Sequence, residues 1–385
     1  MSSADAKPAT ETKEVVTDIT NPDVLTKYKN ASDIAARVLV QVKELCKDGA
    51  NVLEVCKKGD ELLDAEIGKI YKGKSIPKGI AFPTAISPNN VVCHFSPLAS
   101  DPESSLTLKE GDLVKISLGA QIDGYAGVLA DTYVVGGAEV EGKKADVLLA
   151  AHLASEAAIR MVKVGGKNWE ITNAVEKIAK AFGCTPVEGM LSHQQTQNVI
   201  DAKKQIILNP SEQQKKDFAT HTFEENEVYG IDILISSSEG KVRRIDARTT
   251  IMKRNGDMKY QLKMAASRKV YSEIQKKFGA FPFTIRALDD EKTARMGVIE
   301  CQKHGLLTPY EVLYEKDGEY VAQFFTTIAI NKNGTTKLAG PAAVDVTKLK
   351  TEKKLEDEEL LKIIAAPLKA SKKKNKKKAE EKTEA

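Results

Sequence analysis

Aromatic residues make up only 5% of this 385-residue chain, with a single tryptophan. No run of about 18 apolar residues occurs, so the sequence offers no transmembrane helix. The N-terminus, MSSADAKPATETKE, lacks the basic and apolar regions of a secretory signal. Five cysteines (Cys46, Cys56, Cys93, Cys184, Cys301) form no CxxC pair and are odd in number, which argues for reduced thiols packed as small apolar side chains. Hydrophobic residues at 42% and charged residues at 29% are nonetheless those of a globular chain.

Net charge is scarce too, at +4, but its distribution is uneven. Residues 241–269 hold ten Lys or Arg against Asp246 and Asp257, and residues 369–378 hold seven lysines and no acid. With +8 and +7 in those segments, the remaining body carries −11. Concentrated cations on an acidic body point to polyanion binding.

Residues 1–20 are polar and aperiodic and read as a flexible arm. Asn21-Pro22 is a helix start, and Ile34, Val38, Val42 and Leu45 form an apolar stripe on a helix ending near Gly49. A second helix carries Leu63, Ile67, Ile70 and Tyr71. Residues 79–95 read as strand, turn at Pro88-Asn89-Asn90, and strand. Residues 113–118 and 125–135 read as strands joined at Asp123-Gly124, a favoured hairpin pair. Helices over 145–162 and 170–182, then apolar strands over 227–235 and 320–330, complete an α+β pattern. Gly49-Ala-Asn-Val and Gly166-Lys-Asn-Trp each lie between two helices and hint at a duplicated half.

Five ordered motifs carry a resemblance: GIAFPTAISPNNVVCHF (79–95), EGDLVKISLGAQIDGYAGVLADTYVV (110–135), EGMLSHQ (188–194), NEVYGIDILISSSEGK (226–241) and YVAQFFTTIAI (320–330). Together they resemble the type 2 methionine aminopeptidases from about residue 21 to residue 345. The resemblance implies a pita-bread fold with pseudo-twofold halves, carrying a helical insertion over about 245–315. It also implies two-metal hydrolysis, in which paired divalent ions about 3.5–4 Å apart activate water. Such ions repel by about 19 kcal/mol at an effective dielectric of ~20, so the family surrounds them with four carboxylates and a histidine.

The matching positions of this chain do not supply that set. The first two aspartates of the family match Ser117 and Val128, and the last carboxylate matches Phe325. His193 retains the imidazole and Asp232 is a shortened third carboxylate. Serine, valine and phenylalanine cannot build an oxygen-rich octahedral site, so no metal, no cofactor and no hydrolysis are expected. His94 matches the substrate-facing histidine, leaving either a residual cleft or a histidine satisfied by its neighbours. His193 and Asp232 read as a buried imidazole–carboxylate hydrogen bond, with a mononuclear metal site as the alternative.

NPSEQQKKD (209–217), RTTIMKR (248–254), FPFTIRALDDEKTARMGVIECQKHGLL (281–307) and the lysine-rich end resemble one branch more closely, the ErbB3-binding and proliferation-associated protein family with its fungal curved-DNA-binding members. That branch implies a non-catalytic protein of nucleus, nucleolus and cytoplasm, associated with RNA, ribosomal particles and protein partners. Arg243, Arg244, Arg248, Lys253, Arg254, Lys263, Arg268 and Lys269 are the expected polyanion contacts in the insertion; Lys372, Lys373, Lys374, Lys376, Lys377 and Lys378 lie in a disordered tail that reads either as a polyphosphate-binding arm or as a nuclear or nucleolar address. Tyr260 is the only aromatic in 241–269, so backbone recognition is expected over base stacking, for RNA first and DNA second. Segment 346–385 is read as a short helix, carrying Leu355, Leu360, Leu361 and Ile364, ahead of that tail. The helix docks on the body or on a partner; the pattern leaves this open, as it does the oligomeric state. An active enzyme with a rearranged site and a non-hydrolysing binder of peptide N-termini are the rival readings.

Overall fold

The computed structural model describes residues 16–245 and 247–369. Helix α1 (Pro22–Leu45) starts where Asn21 accepts the Asp23 N–H at 3.0 Å, and it buries Ile34, Val38 and Val42. Helix α2 (Val52–Lys69) is capped by Asn51 and buries Leu63 and Ile67, but it stops short of Ile70 and Tyr71. Strands β1 (Lys78–Pro88) and β2 (Val91–Cys93) flank the expected turn, where Asn89 takes a positive φ of 47°. The hairpin β3 (Leu113–Ile122) and β4 (Tyr125–Val134) turns at Asp123 and Gly124, both left-handed. That geometry matches the twist of the strands, which is why the Asp-Gly pair is legible.

A two-residue β5 (Val140–Glu141) precedes α3 (Gly142–Met161) and α4 (Asn168–Ala181). Alanines 150, 151, 154, 157 and 158 are buried, so α3 lies close against its neighbours. Next come β6 (Thr185–Pro186), β7 (Leu191–Gln195), β8 (Gln205–Ile207), α5 (Glu212–Asp217) and β9 (Val228–Ser236). The excursion that follows contains β10 (Ile251–Arg254), α6 (Ala265–Lys277), β11 (Phe283–Thr284), α7 (Glu291–Lys303) and β12 (Leu307–Tyr310). The chain ends with β13 (Leu313–Tyr314), β14 (Val321–Asn331), β15 (Gly334–Ala339), β16 (Leu349–Lys350) and α8 (Glu358–Ala365).

A nine-stranded sheet runs β1-β3-β4-β14-β9-β7-β8, with β15 on β14 and β6 on β9. The helix pair α1–α2 covers the β1–β3–β4 side and α3–α4 the β9–β14 side, each with its own apolar core. This is the α+β pita-bread arrangement, with a helix pair and strands used twice. β2 departs from the expected hairpin, because it pairs with the distant β13 rather than with β1.

Two expectations of the sequence reading are revised, and one that it left open is decided. The arm expected through residue 20 is already packed at its end: Ile19 is buried beside Tyr28, and Tyr125 Oη donates to Thr17 O at 3.1 Å. The insertion is not purely helical, since β11-β10-β12 form a three-stranded sheet beneath α6 and α7 with a separate core. The C-terminal segment docks on the body: Leu360 of α8 and Leu355, which lies ahead of the helix and not on it, are buried in the α3–α4 core, while Leu361 faces outward. All five cysteines are free and buried. No helix among the described residues is long and apolar enough to cross a membrane.

A candidate site in the centre of the sheet

Strand register gathers what the sequence separates. Val128 lies opposite Gly119 in the β3–β4 ladder, where Ser117 faces Ala130; Ala130 in turn meets Phe325 across β4–β14. Phe325 also faces Asp232 across β9–β14, and His193 faces Gly230 across β7–β9. His94 follows β2 directly. As a result His94, Ser117, Val128, His193, Asp232 and Phe325 all line one cavity of about 260 Å³. Phe82, Met190, Leu191, Ile200 and Tyr310 make most of its wall apolar.

Burial sets the chemistry of the surviving groups. Desolvation pushes the Asp232 carboxyl up to about 7, opposed only by Gln323, whose Nε2 donates to Oδ1 at 2.9 Å. Burial drives the His94 imidazole down to about 4, so it is neutral near pH 7. Its Nδ1 lies 3.2 Å from Glu311 O, which places the proton on that nitrogen as donor, and its ring meets Tyr310 edge-on at 5.2 Å. His193 is likewise held below its ordinary value by burial, with Nδ1 3.4 Å from Ala202 O and 3.3 Å from Gln205 Nε2.

The expected His193–Asp232 hydrogen bond is not formed. Each group takes a neutral partner from its own surroundings, because β7 and β9 pair so that His193 meets Gly230 and not Asp232. Retention of His94 matches the reading of a satisfied histidine at Nδ1, although the ring still faces the cavity.

A pair of divalent ions does not fit these residues. Val128 and Phe325 carry no donor atom for a metal ion. Asp232, the one carboxylate left at the matched positions, is held by a neutral amide in a mostly apolar wall. Among the described residues no three His, Cys, Asp or Glu side chains are grouped to hold a metal ion.

Sequence reading missed Gln195 and Gln323. Gln195 is 3% exposed, and neither its Oε1 nor its Nε2 has a hydrogen-bond partner. It lies one residue beyond the quoted EGMLSHQ motif, and only the packing of β7 on β9 brings it to the cavity.

Residues 26–252 match the description Metallopeptidase family M24. The chain belongs to that family. Within M24 it is 50% identical to "Curved DNA-binding protein" of Schizosaccharomyces pombe, over 97% of both chains. It is 43% identical to "ERBB-3 BINDING PROTEIN 1" of Solanum tuberosum, over 94% of this chain and 92% of that one. Among solved structures, "Structure of a thermophilic Arx1" superposes with a TM-score of 0.86 at 40% identity, covering 90% of this chain and 99% of the other. The ErbB3-binding and curved-DNA-binding branch of M24 is thereby its branch.

The expected polyanion contacts of this M24 chain divide into two groups. Arg248 Nε donates to the buried Asp101 at 2.7 Å, Lys253 pairs with Asp201 at the cavity, and Arg254 Nε donates to Gly279 O at 2.9 Å. Arg268 Nη1 donates to the carbonyls of Leu262 and Lys263 at 3.0 and 2.6 Å, and Arg244 pairs with Glu311 at 2.5 Å. These five tie the insertion to itself or to the body. Arg243, Lys263 and Lys269 are exposed and have no ion pair among the described residues. Lys372, Lys373, Lys374, Lys376, Lys377 and Lys378 lie outside the described residues.

Proposed function

We propose that this chain is a non-catalytic M24 scaffold that binds RNA or ribosomal particles, with DNA as a further ligand, together with protein partners. Its setting is ribosome biogenesis, translation or growth regulation, in nucleus, nucleolus and cytoplasm. The observation that carries the non-catalytic part is the donor set of the cavity: Ser117, Val128 and Phe325 leave one carboxylate and one histidine at the matched positions against four units of metal charge. The names of its relatives support the binding part, together with the uneven charge of the chain.

Two measurements test this. Protein dialysed against Mn²⁺ or Co²⁺ is analysed for bound metal and assayed on a Met-initiated peptide; two ions per chain with turnover would overturn the non-catalytic reading. Replacing Arg243, Lys263 and Lys269 by Glu should weaken binding of a structured RNA and flatten its salt dependence. The log–log slope should fall by about one unit for each phosphate no longer neutralised. An unchanged affinity and slope would remove these residues from the RNA interface.

The cavity favours one second reading, a binder of peptide N-termini that does not hydrolyse them. Gln195 presents a buried amide with donor and acceptor both unpartnered, in a cavity that Asp201 and Asp232 also line. Failure of any N-terminal Met peptide to crosslink near His94 counts against it.

A further inference from the structure

Helix α7 has two faces of opposite use. Ala294, Gly297, Val298 and Cys301 are buried and pack toward α6. The approach is close, since a Cβ at Gly297 would lie 2.7 Å from Val270 Cγ2. The outward stripe is Lys292, Met296, Ile299 and Lys303, spaced i, i+4, i+7 and i+11. Ile299 is 65% exposed, the largest value for a big apolar side chain among the described residues, and Met296 is 46% exposed.

The apolar surface continues onto the segment that enters α6. The Met264 N–H donates to Glu300 Oε2 at 3.1 Å, which ties the exposed Met264 to α7 at the residue that follows Ile299 in sequence. Met258 reaches Gly305 at the far end of α7. Met258, Met264 and Met296 are the exposed methionines of the described residues, and all three lie here. Unbranched thioether side chains adapt to the shape of what they meet. Folding does not need this face, because the opposite one already supplies the insertion's core.

Charge defines the occupant. Lys292 and Lys303 close the two ends of the stripe, and Lys259 and Lys263 flank it, all exposed. None of these four lysines has an ion pair among the described residues, although the exposed Asp290 lies near Lys292 at the start of α7, and Lys277 is the lysine that pairs with Asp289. Glu300, the acid within the patch, spends its carboxylate on the N–H groups of Lys263 and Met264. An apolar centre with a cationic rim complements an apolar ridge with anionic flanks. RNA matches the rim alone: the Tyr260 ring is stacked on His304 at 3.7 Å, and methionine or isoleucine gives a base no platform.

We propose that this face of the insertion docks an acidic amphipathic helix of a partner protein. Apolar residues at i, i+3 or i+4, and i+7 of that helix sit on Met264, Met296 and Ile299, with Asp or Glu against Lys263, Lys292 and Lys303.

The test is selection of a phage-displayed random peptide library on the full chain. Enriched peptides are expected to be acidic with apolar residues at helical spacing. They should bind a Met296→Gln, Ile299→Gln variant at least about 30-fold more weakly. A Lys292→Glu, Lys303→Glu variant should repel them as well. Enrichment of basic or neutral peptides, or binding that neither variant lowers, overturns the proposal. Transfer RNA serves as the competing probe. Its binding is expected to survive the Met296→Gln, Ile299→Gln change, and an equal loss would assign the face to RNA and reject the protein partner. Because those substitutions leave charge untouched, this outcome is separable from failure of the RNA reading above.

Discussion

Phe325 stands across the β9–β14 ladder from Asp232, and its ring tip occupies the space that a side chain at Gly230 would need. A Cβ on Gly230 would come within 2.4 Å of Phe325 Cζ and 2.7 Å of Gln195 Nε2. The aromatic ring and the glycine therefore form one packing unit in the middle of the cavity.

Gly230→Ala should cost about 1–3 kcal/mol through overpacking, read from urea denaturation. In a Phe325→Leu background the same change should cost markedly less, since the opposing atom is gone. Strictly additive losses in the two backgrounds would show that ring and glycine do not share that space.

Asp232 makes the protein less stable as pH rises. Its native pKa of about 7 lies above the ordinary carboxylate value, so the folded state keeps a proton that the unfolded chain releases from about pH 4 upward. Stability from this group falls through that window and levels off above pH 7. Asp232→Asn keeps an acceptor for Gln323 and removes the penalty. It should stabilise the protein by at most about 4 kcal/mol at pH 8, and by nothing near pH 4. A gain that does not depend on pH would point to packing instead.

His94 works in the opposite direction. Burial holds it neutral down to about pH 4, whereas an unfolded histidine takes up a proton near pH 6.5. Stability from this group is full above pH 6.5 and declines as pH falls to 4, by up to about 3 kcal/mol. Because φ at His94 is +63°, asparagine is the suitable replacement, being tolerant of left-handed backbone. The His94→Asn variant should show a flatter stability profile between pH 4 and 6.5; one as steep as the parent's would assign the acid sensitivity elsewhere.

Arg286 fastens the insertion to the body. Its Nη2 donates to Asp60 Oδ2 at 2.5 Å and to Thr84 O at 3.2 Å, while Asp60 Oδ1 accepts the Thr84 N–H at 2.7 Å. Arg286→Met strands a partly buried carboxylate and should cost about 3–5 kcal/mol. Adding Asp60→Asn should recover part of that loss by removing the unpaired charge. Equal stability of the single and double variants would mean that Asp60 bears no penalty when alone.

Local order was legible wherever one short stretch carries its own signal. The Asn21-Pro22 start, the Ile34–Val38–Val42 stripe and the Asp123-Gly124 turn each depend on neighbours in sequence, and each is formed. The strand β2 was legible as a strand but not in its partner, because β13 lies more than two hundred residues away. The family resemblance named the six cavity positions, although nothing in their order along the chain shows that they converge.

What the sequence determined by itself is covalent and compositional: which side chains can donate to a metal, where positive charge is concentrated, and which segments have a helical or extended period. Tertiary structure decided the pairings. It turned His193 toward Ala202 rather than Asp232, left the Gln195 amide without a partner, and tied Arg248 and Lys253 to carboxylates while leaving Arg243 exposed. The physical reason is that hydrogen bonds and ion pairs are settled within a few ångströms by strand register and close packing, and one-dimensional periodicity carries no information on that scale.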